Sequence, residues 1–224
     1  LQKLHATGKP VVLVLTGGSP IELEWAAEHI PAMVMAWYPG EEGGNAVADV
    51  LFGDVNPAGR LPITFVKSLE QLPEFTDYAM AGRTYRFMSE EPRYRFGYGL
   101  SYTTFAYSNL RLSADSITTS GEVSVTADVQ NTGARAGDEV VQLYVSDVEA
   151  SVPVPLVHME GVTRIHLQPG EMQTVTFPLT SAQLSAYTED GVPFVEPGQF
   201  RISVGGGQPG DPASGAISTL LTVN

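Results

Sequence analysis

The sequence predicts an α/β layer with parallel strands followed by an all-β sandwich. Two observations lead to this fold class. The first part of the chain runs in the order strand, helix, strand, helix, which is typical of a parallel α/β sheet. From about Thr104, short segments with alternating apolar residues are separated by turns rich in Gly, Pro and Asn, which is typical of an antiparallel sandwich.

The first predicted strand covers residues 11–15, VVLVL, because a short β-branched apolar run is typical of a buried parallel strand. A helix is expected to follow. Ser19 is suited to the N-cap, Pro20 to the first helical position, and Glu22 completes a capping box. The pattern therefore predicts that a helix begins at Pro20.

The second predicted strand covers Ala32 to Trp37 and is followed by a glycine-rich turn. Asn45 is expected to cap a second helix that continues through Leu51 and stops at Gly53. Because the connections are helical, we expect the strands at 11–15 and 32–36 to lie parallel and adjacent.

The sandwich is predicted over residues 104–224 from five alternating segments separated by turns. They are EVSVTADV, DEVVQLYVS, VTRIHL, QTVTFPL and QFRISVG. Their spacing favours a sandwich of immunoglobulin or fibronectin type III kind. The chain has no cysteine pair and no core tryptophan in this part that would indicate an antibody-type domain.

Residues 66–103 form a connector between the α/β layer, predicted over 1–65, and the sandwich. The connector and the residues just before it, from 60 to 102, are unusually rich in arginine and aromatic residues. They are Arg60, Arg83, Arg86, Arg93, Arg95, Phe75, Tyr78, Tyr85, Phe87, Tyr94, Phe96, Tyr98 and Tyr102. Flexible linkers are depleted in aromatic residues, so we expect the connector to pack on its flanking domains, a partner or a ligand.

The composition excludes several functions. A net charge of −13 repels nucleic-acid phosphates and anionic lipid surfaces, so neither a nucleic acid nor a membrane is expected as a partner. The four histidines show no metal-ligand spacing, there is no cysteine, and the nucleotide-binding and G-x-S-x-G serine hydrolase patterns are missing. We therefore expect no metal and no cofactor.

Glu41 and Glu42 in the stretch YPGEEGGN allow two interpretations. Paired carboxylates just beyond a parallel strand lie where ligands bind α/β sheets. Acidic residues before a helix also stabilise its N-terminus, by about 0.3–1 kcal/mol each. Chemistry alone favours the structural interpretation but leaves both open.

Four segments occur in an order that resembles glycoside hydrolase family 3, the β-glucosidase and β-xylosidase group. They are KPVVLVLTGGSPIELEW, AWYPGEEGGNAVADVLFGDVNPAGRLPITF, GRTYRFM and YRFGYGLSYTTFAYSNLRL. The resemblance covers nearly the whole chain, because members of this family often end with a fibronectin type III-like domain.

The resemblance implies a retaining, exo-acting β-glycosidase whose aspartate nucleophile lies in an N-terminal barrel. The glutamate acid/base is implied upstream of the first strand, so no catalytic residue is expected in this chain. Glu41 and Glu42 then fall on a structural turn, and Arg60 is expected in an internal salt bridge. Arg83 and Tyr85 are the candidate substrate-binding residues, although packing between domains is the favoured role for the aromatic rings.

The expected partners are a barrel-containing polypeptide of the same enzyme and an oligo- or aryl-β-glycoside substrate. Leu1 is expected to follow a segment that is missing here. The resemblance is compatible with a secreted or periplasmic protein, and a homo-oligomer stays open. Two alternatives remain: a free-standing carbohydrate-binding module, which would bind sugar on its own, and a structural module without a ligand.

Overall fold

A computed structural model describes residues 1–224 and contains four α-helices and twelve strands. The helices are α1 (Gln2–His5), α2 (Glu24–His29), α3 (Gly43–Phe52) and α4 (Thr84–Phe87). The strands of the first part are β1 (Val12–Thr16) and β2 (Ala32–Trp37). The remaining strands are β3 (Phe105–Leu112), β4 (Ser116–Ile117), β5 (Glu122–Asn131), β6 (Gly137–Asp147), β7 (His158–Leu167), β8 (Met172–Thr180), β9 (Ala186–Tyr187), β10 (Pro193–Phe194), β11 (Gly198–Gly205) and β12 (Ile217–Val223). None of the helices is long and apolar enough to cross a lipid bilayer.

Strands β1 and β2 form a parallel two-stranded sheet in which Val12 lies opposite Ala32. The predicted parallel and adjacent arrangement is confirmed. A small core lies against this sheet and consists of Leu23, Ala26, Ile30 and Phe65. Neither strand has a second partner, so both outer edges of the sheet are unpaired.

The prediction of a helix that begins at Pro20 is wrong, since α2 begins at Glu24 and Leu23 occupies its N-cap position. Ser19 makes no cap. Tertiary contacts explain the difference. The side chain of Leu23 is buried in the core beside the sheet, and Glu24 forms a salt bridge with Arg93 from the connector. These contacts fix the start of the helix after Leu23, against the local capping signal.

Helix α3 ends as predicted at Gly53, which adopts a left-handed conformation with φ of 83°. Its predicted start is wrong, because the helix begins at Gly43 and Asn45 lies inside the first turn. The side chain of Asn45 donates a hydrogen bond of 2.6 Å to the carboxylate of Glu42, which occupies the N-cap position. Gly43 and Gly44 form the first turn of α3, although glycine has a low helix propensity. The bond between Asn45 and Glu42 spans this turn.

The second part of the chain is a sandwich of two sheets. One has five strands in the order β4-β12-β11-β6-β7, and the other has three in the order β3-β5-β8. All five predicted segments lie in strands, whereas β3, β4, β9, β10 and β12 lie outside these segments. A core of 18 buried residues fills the space between the sheets. The predicted fold class, an α/β layer followed by a fibronectin type III-like sandwich, is confirmed.

The connector is largely irregular, and it is exposed over residues 74–81 but packed at its end. The backbone of Phe65 pairs with that of Tyr94 in an antiparallel bridge, and the amide of Leu61 donates to the carbonyl of Tyr98 over 2.8 Å. These bonds tie the end of the connector to the α/β unit. The domain limits at 65 and 103 stay a prediction.

Candidate functional site

The turn that carries Glu41 and Glu42 is exposed and is shaped by glycine. Gly40 has φ of 72°, and a Cβ atom on Gly43 would lie 2.6 Å from two carbon atoms of the Pro39 ring. Apart from the bond between Glu42 and Asn45, neither carboxylate has a side-chain partner. The geometry supports a structural turn, because no second functional group converges on the two carboxylates.

Arg83 is hydrogen bonded to the backbone of the connector loop that precedes it, residues 74–79. Its guanidinium group donates to the carbonyl oxygens of Ala79 and Glu74, both at 3.1 Å, and also to that of Asp77. The loop presents Phe75 and Tyr78 to solvent, with 91% and 88% of their surfaces exposed. Arg83 therefore holds the shape of this loop.

Tyr85 lies in helix α4 and contacts the sandwich. Its ring stacks on Phe96 with 4.1 Å between the ring centres and meets Tyr144 edge to face. Its hydroxyl accepts a hydrogen bond of 3.2 Å from the backbone amide of Met159. The structure thus gives Arg83 and Tyr85 no contact partner in common. Tyr85 also lines a cleft of about 510 Å³.

Arg60 forms the predicted internal salt bridge. Its Nη2 lies 2.7 Å from Oε2 of Glu139, and its Nε donates to the carbonyl of Gly206 over 2.8 Å. The second carboxylate oxygen of Glu139 accepts a hydrogen bond of 2.5 Å from the hydroxyl of Tyr107. This polar network joins the turn after α3 to both sheets of the sandwich.

Burial raises the pKa of Glu139 above its ordinary value, and the attraction of Arg60 only partly offsets this effect. Burial, reinforced by the neighbouring Glu139 carboxylate, also raises the pKa of the Tyr107 hydroxyl. Neither residue is singled out by a sequence motif. A signal existed for Glu139, since it stands two residues before Val141 and four before Leu143, on the face of β6 that points into the core.

The histidines do not form a metal site. His5, Trp25 and His29 pack as a cluster in which the rings of Trp25 and His29 stack at 4.5 Å. No group of three or more Asp, Glu or His side chains is placed to hold a metal ion.

Comparison with known proteins agrees with this architecture. Residues 1–102 match the glycosyl hydrolase family 3 C-terminal domain, and residues 139–208 match a fibronectin type III-like domain. These matches define a two-domain chain of the kind found at the C-terminal end of family 3 glycoside hydrolases.

Two curated relatives and one solved structure extend the match. A β-xylosidase from Formosa agariphila is 44% identical over 94% of this chain, and a periplasmic β-glucosidase from Salmonella typhimurium is 42% identical over 90% of it. The structure of a β-glucosidase from Erythrobacter marinus superposes on the whole chain with a TM-score of 0.87 and 40% identity. The chain belongs to glycoside hydrolase family 3.

The chain spans only part of the length of these proteins. It covers 30% of the Formosa β-xylosidase, 28% of the Salmonella β-glucosidase and 29% of the Erythrobacter β-glucosidase chain. Because the matched family model is that of the C-terminal domain, the similarity concerns the C-terminal part of these enzymes.

Proposed function

We propose that the chain is the C-terminal portion of a retaining, exo-acting β-glycosidase of β-glucosidase or β-xylosidase type, which hydrolyses terminal β-linked sugars. The observation that carries this proposal is the pattern of coverage. Nearly all of the chain matches enzymes named β-xylosidase and β-glucosidase, while the match accounts for less than a third of each enzyme. The aspartate nucleophile and the glutamate acid/base would come from outside residues 1–224.

The incomplete α/β sheet supports this proposal. Parallel sheets are normally covered on both faces and extended by further strands. Here β1 and β2 lie beside an open recess of about 640 Å³, and 18 of its 23 lining residues are hydrophobic. We infer that further strands and the barrel of the same enzyme cover this recess. A free-standing sugar-binding module would leave such an apolar surface in water.

Arg83 and Tyr85 remain proposed substrate-binding residues, each with a different mode of action. Arg83 is a positioning residue, because its donors are used to hold the loop that presents Phe75 and Tyr78. The exposed rings of that loop are suited to stack on the apolar face of a sugar ring. Tyr85 would contribute through the cleft that it lines.

The proposal is tested by assaying aryl β-glucosides and β-xylosides with the chain alone and with a barrel-bearing polypeptide added. We expect no turnover by the chain alone, because retention requires two carboxyl groups about 5–5.5 Å apart on one sugar. The completed enzyme should release the β-anomer first, as judged by NMR of the product. Turnover by the chain alone, or inversion by the completed enzyme, would contradict the proposal.

The variants Glu41→Gln and Glu42→Gln provide the control for the site assignment. We expect both to leave kcat of the completed enzyme within a few-fold, because the turn is structural. A decrease of about 10²–10⁴, typical of the loss of a general acid or base, would make the turn catalytic instead.

A further inference from the structure

The cleft beside Tyr85 has the size and lining of a ligand site. Its volume of about 510 Å³ lies within the range of roughly 300–1,000 Å³ that is common for small-molecule pockets. It lies between the connector, from Tyr85 to Arg95, and strands of the five-stranded sheet. Only four of its twelve lining residues are hydrophobic, so the cleft is suited to a polar ligand.

The register of the sheet places Arg201 on the wall of this cleft. Arg201 lies on β11 directly opposite Ser146 of β6, and paired residues in adjacent strands point to the same face. Its neighbour Ile202 is fully buried in the core, so Arg201 points away from it. Ser218 of β12 also lines the cleft. Arg201 and two serines thus line the same cleft.

The cleft carries one uncompensated positive charge. Arg95 is neutralised by Glu91, with 3.1 Å between its Nε and a carboxylate oxygen and a second bond from its Nη2. Arg201 lines the same cleft and takes part in none of the ion pairs of the chain. The net charge of −13 disfavours anions in general, but the exposed guanidinium of Arg201, which has no ion-pair partner, favours an anionic group within this cleft.

We propose that this cleft binds a sugar residue that carries a single carboxylate, such as a hexuronic acid unit. The planar guanidinium of Arg201 matches a carboxylate with two parallel hydrogen bonds. The side chains of Ser146 and Gln208 offer partners for ring hydroxyls, as does Ser218, whose hydroxyl also shares a hydrogen bond of 2.9 Å with Ser203. Tyr85 adds an aromatic ring to the lining. That the carboxylate belongs to a sugar rests on the proposed function, whereas the choice of a singly charged anion rests on the cleft itself.

The experiment is calorimetric titration of the chain at low salt with four probes: methyl β-D-glucuronide, methyl β-D-glucoside, acetate and inorganic phosphate. We expect the glucuronide to bind at least about tenfold more tightly than each of the others, because only it has both the ring and the charge. Equal binding of the glucoside would overturn the role of the charge. Equal binding of acetate or phosphate would overturn the role of the sugar, and failure of the glucuronide to bind would overturn the proposal as a whole.

Three variants assign the binding to Arg201. Arg201→Gln should reduce glucuronide affinity to that of the glucoside, and Arg201→Lys should give an intermediate value, since lysine keeps the charge without the planar pair of donors. Arg111→Gln, on β3 of the other sheet, is the matched control and should change nothing. An unchanged affinity in Arg201→Gln, with the fold checked by circular dichroism, would overturn the assignment. Aryl β-glycoside hydrolysis by the completed enzyme is measured separately, so that a failure of the proposed function is distinguished from a failure of this site.

Discussion

Arg60 and Glu139 form the one ion pair of the chain in which both side chains are withdrawn from water, with 10% and 3% of their surfaces exposed. A buried pair adds little net stability compared with apolar residues of the same size, but removal of one partner leaves an uncompensated charge. Because Arg60 comes from the turn after α3 and Glu139 from β6, the pair specifies how the α/β unit docks on the sandwich.

We expect Arg60→Met to lower the free energy of unfolding by about 3–5 kcal/mol at neutral pH, because it leaves the Glu139 carboxylate buried beside Tyr107 alone. The double variant Arg60→Met with Glu139→Gln should be less destabilised than the sum of the two single variants. Urea unfolding followed by circular dichroism measures all four proteins. Strict additivity would show that the two groups do not interact.

The destabilisation caused by Arg60→Met should depend on pH and become smaller as pH falls. Burial raises the folded-state pKa of Glu139 above its ordinary value of 4.5, so its protonated form is favoured by folding. Its contribution to stability is fully present below pH 4.5 and is lost as pH rises through the raised pKa. Loss of Arg60 raises that pKa further, and the penalty of Arg60→Met should therefore shrink as pH is lowered towards 4.5. In the Glu139→Gln background the penalty should not change with pH.

Among the secondary-structure elements, those that depend on local patterns could be predicted, and those that depend on distant contacts could not. The alternation of β5 and β6 reports directly which face is buried, so these strands were found from the sequence. The start of α2 depends on Arg93, which is 69 positions away from its partner Glu24. The cleft around Arg201 could not be predicted either, because it forms only when the connector folds over the sandwich.

Tyr85 is expected to hold the connector against the sandwich. Tyr85→Ala removes the stack on Phe96 and the hydrogen bond to the amide of Met159, so it should release the connector from the sandwich. We expect limited proteolysis to cleave within residues 66–103 several-fold faster in this variant, while the sandwich resists. Tyr78→Ala is the matched control, since 88% of the surface of Tyr78 is already exposed. Equal cleavage rates in the two variants would show that Tyr85 does not hold the connector.

In the whole molecule, the sandwich and the α/β unit differ in how many buried residues form their cores. The sandwich has a core of 18 buried residues, whereas the α/β unit has one of four. The larger core lies between two sheets of three and five strands, which meets the usual requirement for independent stability of a β-sheet structure. The α/β unit leaves apolar residues at its recess and both edges of its sheet unpaired. Its stability should therefore depend on the rest of the enzyme.

Because only the α/β unit is proposed to be covered by the rest of the enzyme, lysine at an exposed position should affect association in the α/β unit and not in the sandwich. Val12 on β1 and Val162 on β7 have similar exposures, 48% and 56%, so lysine at either position should change the stability of the chain alone by little. Only Val12 lines the recess that further strands are proposed to cover, and a lysine there would bring an unpaired charge into the completed interface. We expect Val12→Lys to weaken association with the barrel-bearing polypeptide by at least about tenfold in calorimetric titration, and to reduce recovery of β-glycosidase activity at equal, limiting concentrations. Val162→Lys should associate normally. If Val12→Lys associates as well as the unmodified chain, the recess is not the surface that the rest of the enzyme covers.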